Sequence, residues 1–113
     1  MYTYKANVIN VVDGDTVDAS ISLGFDIAQT MRLRLSDVNT PERGQPGYAM
    51  AKQRVASWVS ANPVCIVTTQ KDRREKYGRY LATLTPLAGG LSLNQILLDE
   101  KLAKPYEGKG PKE

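Results

Sequence analysis

Two short segments of the chain carry clusters of oxygen-bearing side chains at predicted turns. Asp13 and Asp15 flank a glycine in the first, and Asp37, Asn39 and Glu42 surround the second. A hard cation needs several oxygen ligands from different chain segments, and turns at strand ends can supply them. Taken singly, an acid at such a position more often serves the turn alone.

The missing residue types narrow the possible chemistry. The chain has no histidine and one cysteine, which excludes histidine-based acid–base catalysis, serine–histidine or cysteine–histidine pairs and zinc clusters. Any metal is therefore expected to be held by oxygen, which indicates calcium or magnesium. The single Cys65 lies in an apolar run and is expected to be a buried core thiol.

Arg34 and Arg79 are suited to an anionic substrate. Arg34 lies five residues before Asn39 on a predicted strand, and Arg79 follows a Tyr-Gly pair. Planar guanidinium groups bind phosphate oxygens through paired N–H donors and stabilise the extra negative charge of a phosphoryl transition state. A single surface arginine is more often only a solvated side chain.

The first half of the sequence has the alternation typical of β-strands. Residues 6–12 form an apolar-rich run before the Asp-Gly-Asp turn, and residues 17–23 and 31–35 alternate apolar with polar side chains. This alternation places Arg32 and Arg34 on one face of the third strand.

The second half predicts a helix, two strands and a further helix. Residues 46–62 have apolar side chains at helical spacing, whereas residues 64–69 and 80–85 are rich in strand-forming types. The charged segment 71–76 between those strands is predicted to be a loop. A capping box of the Ser-x-x-Gln type at Ser92 predicts the start of the second helix.

This order of elements, β-β-β-α-β-β-α, predicts an α+β, mainly β domain: a five-stranded OB-type barrel with two helices. The length of 113 residues allows one such domain. We assign residues 1–106 to the barrel and residues 107–113 to a polar tail that is expected to be flexible.

Charge and hydropathy set weaker bounds on partners and location. The net charge of +3 permits a nucleic-acid partner without requiring one. No apolar stretch approaches the ~20 residues of a transmembrane helix, so we expect no membrane partner. No export signal begins the chain, which predicts an intracellular protein, or a secreted one whose signal has been removed.

Four motifs in register give the chain its resemblance to the staphylococcal nuclease (thermonuclease-like) family. They read VDGDTV at residues 12–17, RLSDVNTPE at 34–42, KYGRYLA at 76–82 and LNQILLDEKLA at 93–103, and the similarity covers roughly residues 6–106. The resemblance implies a calcium-dependent nuclease of bacterial or phage origin that cleaves DNA and RNA, with single strands favoured. Cleavage between phosphorus and the 5′ oxygen would leave 3′-phosphates.

The resemblance also implies roles for single residues at the two turns. Asp15, Asn39 and Thr40 would hold the calcium ion, Thr40 through its backbone carbonyl, and Asp13 would lie just outside the direct ligands. Glu42 would orient or deprotonate the attacking water.

Further implied roles concern the substrate. Arg34 and Arg79 would hold the scissile phosphate, and Lys76 and Tyr77 would hold a neighbouring phosphate. Tyr106 would line the nucleotide pocket.

The chain departs from the family pattern at three points. Asn39 stands where the family has a second metal-binding aspartate, so weaker calcium binding is expected unless Asp37, assigned to the same strand face, compensates. The segment between Glu42 and the first helix is short. The chain also ends soon after Tyr106, where the family continues into a third helix, and we leave the oligomeric state open between a monomer and a weak dimer.

The alternative function is that of a catalytically weak or inactive OB-fold module that binds nucleic acid. Degenerate domains of this fold lose the acids and arginines of the site, whereas Asp15, Arg34, Glu42 and Arg79 are all present. The sequence therefore favours the active nuclease.

Overall fold

A computed structural model of the protein describes the backbone of residues 2–74 and 80–106, and the side chains of residues 2–69 and 80–106. In this part of the chain the elements are β1 (Tyr2–Asp13), β2 (Thr16–Gly24), β3 (Ile27–Leu35), β4 (Val38–Asn39), α1 (Tyr48–Ala61), β5 (Cys65–Arg74), β6 (Tyr80–Pro86), α2 (Leu93–Asp99) and β7 (Lys104–Pro105). Strands β1-β2-β3-β6-β5 form a closed barrel. The predicted OB-type barrel with two helices is thus confirmed for the described residues.

The barrel closes through one parallel pair of strands. Neighbouring strands are antiparallel except β3 and β6, which pair in parallel from Leu33–Tyr80 to Leu35–Ala82. Parallel neighbours need a crossover connection, which the segment containing α1 and β5 provides. This pairing places the end of β3 next to the start of β6. The candidate site lies at this end of the barrel.

The core follows the alternation that the sequence predicts. One face of each strand points into the barrel, and one stripe of each helix covers it; the largest fully buried apolar side chains are Leu33, Leu35, Leu84, Leu93, Leu97, Val17, Val38, Val55 and Val67. Cys65 belongs to this core, and burial raises the pKa of its thiol to about 11. The thiol therefore stays protonated at neutral pH, as expected of a structural cysteine.

One predicted boundary is wrong, and two short strands were not predicted. Residues 71–74 continue β5, and Arg74 pairs with Tyr80, although their charge predicts a loop. Charge reports solvent exposure, whereas strand pairing needs only main-chain N–H and C=O groups. The two-residue strands β4 and β7 were not predicted, because a pair of residues has no periodicity to detect.

The predicted start of α2 at Ser92 is confirmed, but only half of the predicted capping box forms. The Ser92 hydroxyl accepts a hydrogen bond from the backbone N–H of Gln95 at 3.0 Å, so the serine caps the helix. The Gln95 side chain donates to Asp99 Oδ1 at 2.8 Å, one turn along the helix, and does not complete a capping box.

No helix in the described part of the chain is long and apolar enough to cross a membrane. The tail assigned to residues 107–113 lies outside the described residues.

Candidate active site

The turn between β1 and β2 places Asp15 in contact with the chain segment that follows β4. Gly14 makes this approach possible, because a Cβ atom there would lie 2.9 Å from both Thr40 Oγ1 and Ala51 Cβ. The Asp-Gly-Asp sequence is thus more than a turn signal. It lets the barrel, α1 and the Thr40 segment meet at one point.

We expect Gly14→Ala to lower the free energy of unfolding by about 1–3 kcal/mol, because the added methyl group overpacks this junction. Urea denaturation measures the loss. Repeating the substitution in an Ala51→Gly background removes one of the two close contacts and should reduce its cost. An equal cost in both backgrounds would show that the contact with Ala51 is not the cause.

Asp15 is the most buried ionisable residue of the site. Its side chain is 0% exposed, and its Oδ2 atom lies 3.5 Å from Arg34 Nη2. The Arg34 side chain is also buried, with 4% of its surface exposed. The backbone N–H of Thr40 donates to the same Oδ2 at 3.2 Å, and the Thr16 hydroxyl donates to Oδ1 at 3.1 Å. The carboxylate is therefore fixed by three groups from three chain segments.

Arg34 is held as firmly as its partner. Its Nη1 group donates to the carbonyls of Leu35 and Val38, both at 2.8 Å. The ring of Tyr106 covers the guanidinium at 5.6 Å. A planar cation with fixed orientation is suited to bind an oxyanion at a defined position.

Arg32 does not join this site, although it precedes Arg34 by two residues on β3. Its guanidinium makes a two-point contact with Asp18 on the outer surface, with Nε 2.8 Å from Oδ1 and Nη2 3.1 Å from Oδ2. This contact holds the pKa of the Asp18 carboxyl below its ordinary value. The two arginines of one strand thus have separate surroundings.

The small sheet β4–β7 positions Asn39 and Tyr106. Asn39 is buried and pairs through its backbone with Lys104, and the N–H of Tyr106 donates to the Asp37 carbonyl at 2.9 Å. Asp37 itself is exposed, in a left-handed turn conformation with φ 64°. The prediction that Asp37 shares a strand face with Asn39 is therefore wrong, since β4 begins only after it.

Asn94 supports the site in a way that the sequence analysis missed. Its buried amide accepts from the N–H of Leu84 at 3.2 Å and donates to the carbonyls of Ser36 and Ala82 at 3.0 and 3.1 Å. It thereby joins α2 and β6 to the turn that leads to Asn39. An asparagine among the buried apolar residues at the start of α2 was the available signal, because a buried amide requires partners.

Asp13 lies beside the cluster in a contact of its own. The Tyr48 hydroxyl donates to Asp13 Oδ1 at 2.7 Å, and the Arg43 guanidinium lies 6.0 Å from the centre of the Tyr48 ring. By its helical spacing Tyr48 belongs to the apolar stripe of α1, which gives no sign of this contact. The structure shows that it also fixes an acid next to the site.

Glu42 follows Thr40 by two residues and is exposed. Its backbone is fixed, since its N–H donates to Gln45 Oε1 at 2.8 Å and its carbonyl accepts from the Gln45 N–H at 2.9 Å. Within the described residues its carboxylate forms no hydrogen bond or ion pair. A water-accessible carboxylate on a fixed corner has the properties of a general base.

The remaining predicted site residues cannot be placed. Arg79, Lys76 and Tyr77 lie outside the described residues. They precede β6, whose first residue pairs with Leu33, one position before Arg34.

The oxygen ligands at and near Asp15 are suited to bind a hard cation with modest affinity. Asp15, Asn39 and Thr40 offer only oxygen donors, and the buried Thr40 Oγ1 has no hydrogen-bond partner among the described residues. No group of three acidic, histidine or cysteine side chains suitable for a metal occurs in that part of the chain. With one carboxylate and one amide, the set has less charge than a tight calcium site requires.

Comparisons with known proteins identify the family of the chain. The family described as "Staphylococcal nuclease homologue" matches residues 32–113. "Micrococcal nuclease" of Shigella flexneri is 32% identical over 114 residues, 95% of this chain and 61% of its own length. "Protein ParB" of Escherichia coli is 32% identical over 80 residues (71% and 41%), and an "Uncharacterized endonuclease" of Escherichia coli O157:H7 is 29% identical over 100 residues (88% and 60%).

The chain therefore spans only 41–61% of the length of these relatives. The family match covers well over half of the chain, and the Shigella relative aligns with nearly all of it. The chain belongs to the family of staphylococcal nuclease homologues.

Proposed function

We propose that this chain is a calcium-dependent nuclease that hydrolyses phosphodiester bonds of DNA and RNA, with single strands favoured. The observation that carries the proposal is the buried Asp15–Arg34 pair, fixed by the Thr40 N–H. A buried ion pair adds little stability compared with apolar side chains of the same volume. The presence of this pair next to the candidate metal ligands therefore supports a functional role.

The names of two relatives, a micrococcal nuclease and an endonuclease, support the same proposal. The chain covers at most 61% of their length. The assignment of activity to this chain therefore depends on its own residues.

Asp15, Asn39 and Thr40 are the residues that would hold calcium. When bound, the ion would supply positive charge to the phosphate and lower the pKa of a nearby water. Asp13, held by Tyr48, would add negative charge close to the ion without being a ligand.

Glu42 is the proposed general base. It would accept a proton from the attacking water, whose oxygen then bonds to phosphorus while the bond from phosphorus to the 5′ oxygen breaks. The 5′ oxygen takes a proton from solvent water and leaves as a hydroxyl, and the phosphate remains on the 3′ oxygen. The exposure of Glu42 on a fixed corner supports this role.

The cationic residues complete the proposal. Arg34 and Arg79 would hold the scissile phosphate and stabilise the charge that develops on its oxygens. Lys76 and Tyr77 would hold a neighbouring phosphate. Tyr106, which already covers the Arg34 guanidinium, would contact the adjacent nucleotide.

Cleavage of labelled single-stranded DNA and RNA with calcium, and again with a chelator, tests the metal requirement. We expect activity with calcium and loss of activity in the chelator. Equal cleavage in the chelator would exclude the calcium role. Strong binding of intact nucleic acid under all conditions would instead support the inactive binding module.

Asn39→Asp tests the ligand set more closely. Because it adds the charge that the donor set lacks, we expect about a tenfold or greater gain in calcium affinity by calorimetry. Gln29→Glu is the matched control, since it makes the same amide-to-carboxylate change at an exposed position of β3. An unchanged affinity for Asn39→Asp, or an equal gain for Gln29→Glu, would show that Asn39 does not bind the ion.

A further inference from the structure

A cleft with a volume of about 400 Å³ lies next to the candidate site. Residues 39–41 and 101–104 form its two walls, and Gln45 and Pro46 complete it. Asn39 and Thr40 are therefore shared between the cleft and the metal-ligand set. Pro41 and Pro46 restrict the backbone on one side, so this wall is largely pre-formed.

The described residues that line the cleft carry charge of one sign only. Among the described residues that line it, the ionisable side chains are Lys101 and Lys104, and none is acidic. Both lysines are exposed. No aromatic side chain occurs in this lining, so the cleft suits a phosphate backbone better than a stacked base.

Lys101 has a backbone conformation that lysine rarely adopts. Its φ angle is 59°, in the left-handed region. The N–H of Lys101 donates to the Leu98 carbonyl at 3.1 Å and that of Leu102 to the Leu97 carbonyl at 2.9 Å, the two bonds of a Schellman motif that ends α2. Glycine is the residue that this position favours, so the lysine side chain is kept at a cost in backbone strain.

We infer that this cleft is a second phosphate-binding subsite, at which Lys101 and Lys104 hold the backbone of the nucleic-acid strand next to the scissile phosphate. The inference rests on the proposed nuclease function and adds a contact to it. Three observations support it: the two lysines on one cleft, the absence of an acid from its described lining, and the residues that it shares with the catalytic site. Recognition would be independent of base sequence, because phosphates carry no sequence information.

Lys101→Gly separates the subsite from a structural role. Glycine relieves the left-handed conformation, so the melting temperature should equal or exceed that of the parent protein. Loss of one phosphate contact should weaken binding of a labelled oligothymidylate about 2–5-fold. It should also reduce the slope of log affinity against log salt by about 0.7 over about 50–200 mM salt.

The titrations are made in chelator, so that the strand stays intact, for the parent, Lys101→Gly, Lys104→Gln and the double variant. Fluorescence anisotropy gives the affinity, and the double variant should lose about 1.4 from the slope. Lys5→Gln is the control, because it removes an exposed lysine of β1 that does not line the cleft.

The inference is overturned if Lys101→Gly and Lys104→Gln keep the parent's affinity and slope, or if Lys5→Gln loses as much as they do. Failure of the proposed function gives a different result, because the parent protein then leaves DNA uncut in calcium. A parent that cuts DNA while the lysine variants bind normally removes the subsite and leaves the nuclease in place.

Discussion

Replacing Arg34 by alanine is expected to lower the free energy of unfolding by about 3–5 kcal/mol, in addition to reducing turnover. The substitution leaves the Asp15 carboxylate buried without its counter-charge and removes the donors to the Leu35 and Val38 carbonyls. From the sequence alone, the expected result is loss of activity with an intact fold. The burial of the pair changes that expectation, and thermal or urea denaturation measures the difference.

Arg34→Lys separates catalysis from stability. A lysine keeps the positive charge near Asp15 but lacks the planar two-point geometry for phosphate. We expect a smaller loss of stability than for alanine, and turnover reduced about 10²–10³-fold. Arg32→Ala is the control on the same strand, since it breaks only a surface ion pair, and such pairs contribute little to stability.

Normal turnover of a folded Arg34→Lys variant would remove Arg34 from the phosphate-binding role. A melting temperature for Arg34→Ala equal to that of Arg32→Ala would contradict the structural role of the buried pair.

Glu42→Gln is expected to reduce turnover about 10²–10⁴-fold while leaving stability and binding of single-stranded DNA unchanged. The chain has no histidine, and the protonated, buried Cys65 cannot act as a base, so another group must accept the proton of water. Glutamine keeps the shape of the side chain and removes the base. The backbone contact to Gln45 does not involve the carboxylate and should persist.

Glu100→Gln provides the matched control for this prediction. Glu100 is also exposed, and its carboxylate pairs with Arg54 with Nε 2.8 Å from Oε1, away from the candidate site. We expect parent-like turnover from this variant. If Glu42→Gln cleaves as fast as Glu100→Gln, Glu42 is not the base.

Much of the fold could be predicted because the sequence pattern and the burial agree. The alternation in β2 and β3 and the helical stripe of Ala51, Val55 and Trp58 correspond to buried positions. The closure through the parallel β3–β6 pair has no local signal. The order of elements predicted the barrel, but the parallel pair itself was not predicted.

Within the site, the sequence identified residue types and missed their surroundings. Asp15 and Arg34 were selected as candidates, but their pairing crosses the barrel sheet, and the Thr40 N–H that fixes Asp15 lies 25 residues further along the chain. The support from Asn94 also arises from long-range contacts, over 58 residues to Ser36. Such contacts are set by the closed barrel, which no sequence window contains.

The ends of the cleavage products test the central claim most directly. A single-stranded oligodeoxynucleotide of defined sequence is incubated with the parent protein and calcium, and mass spectrometry measures the masses of the products. The proposed bond cleavage predicts fragments that carry a 3′-phosphate and a 5′-hydroxyl. Fragments with 5′-phosphates would contradict the assigned bond, and an oligonucleotide that is bound but stays intact would contradict the nuclease itself.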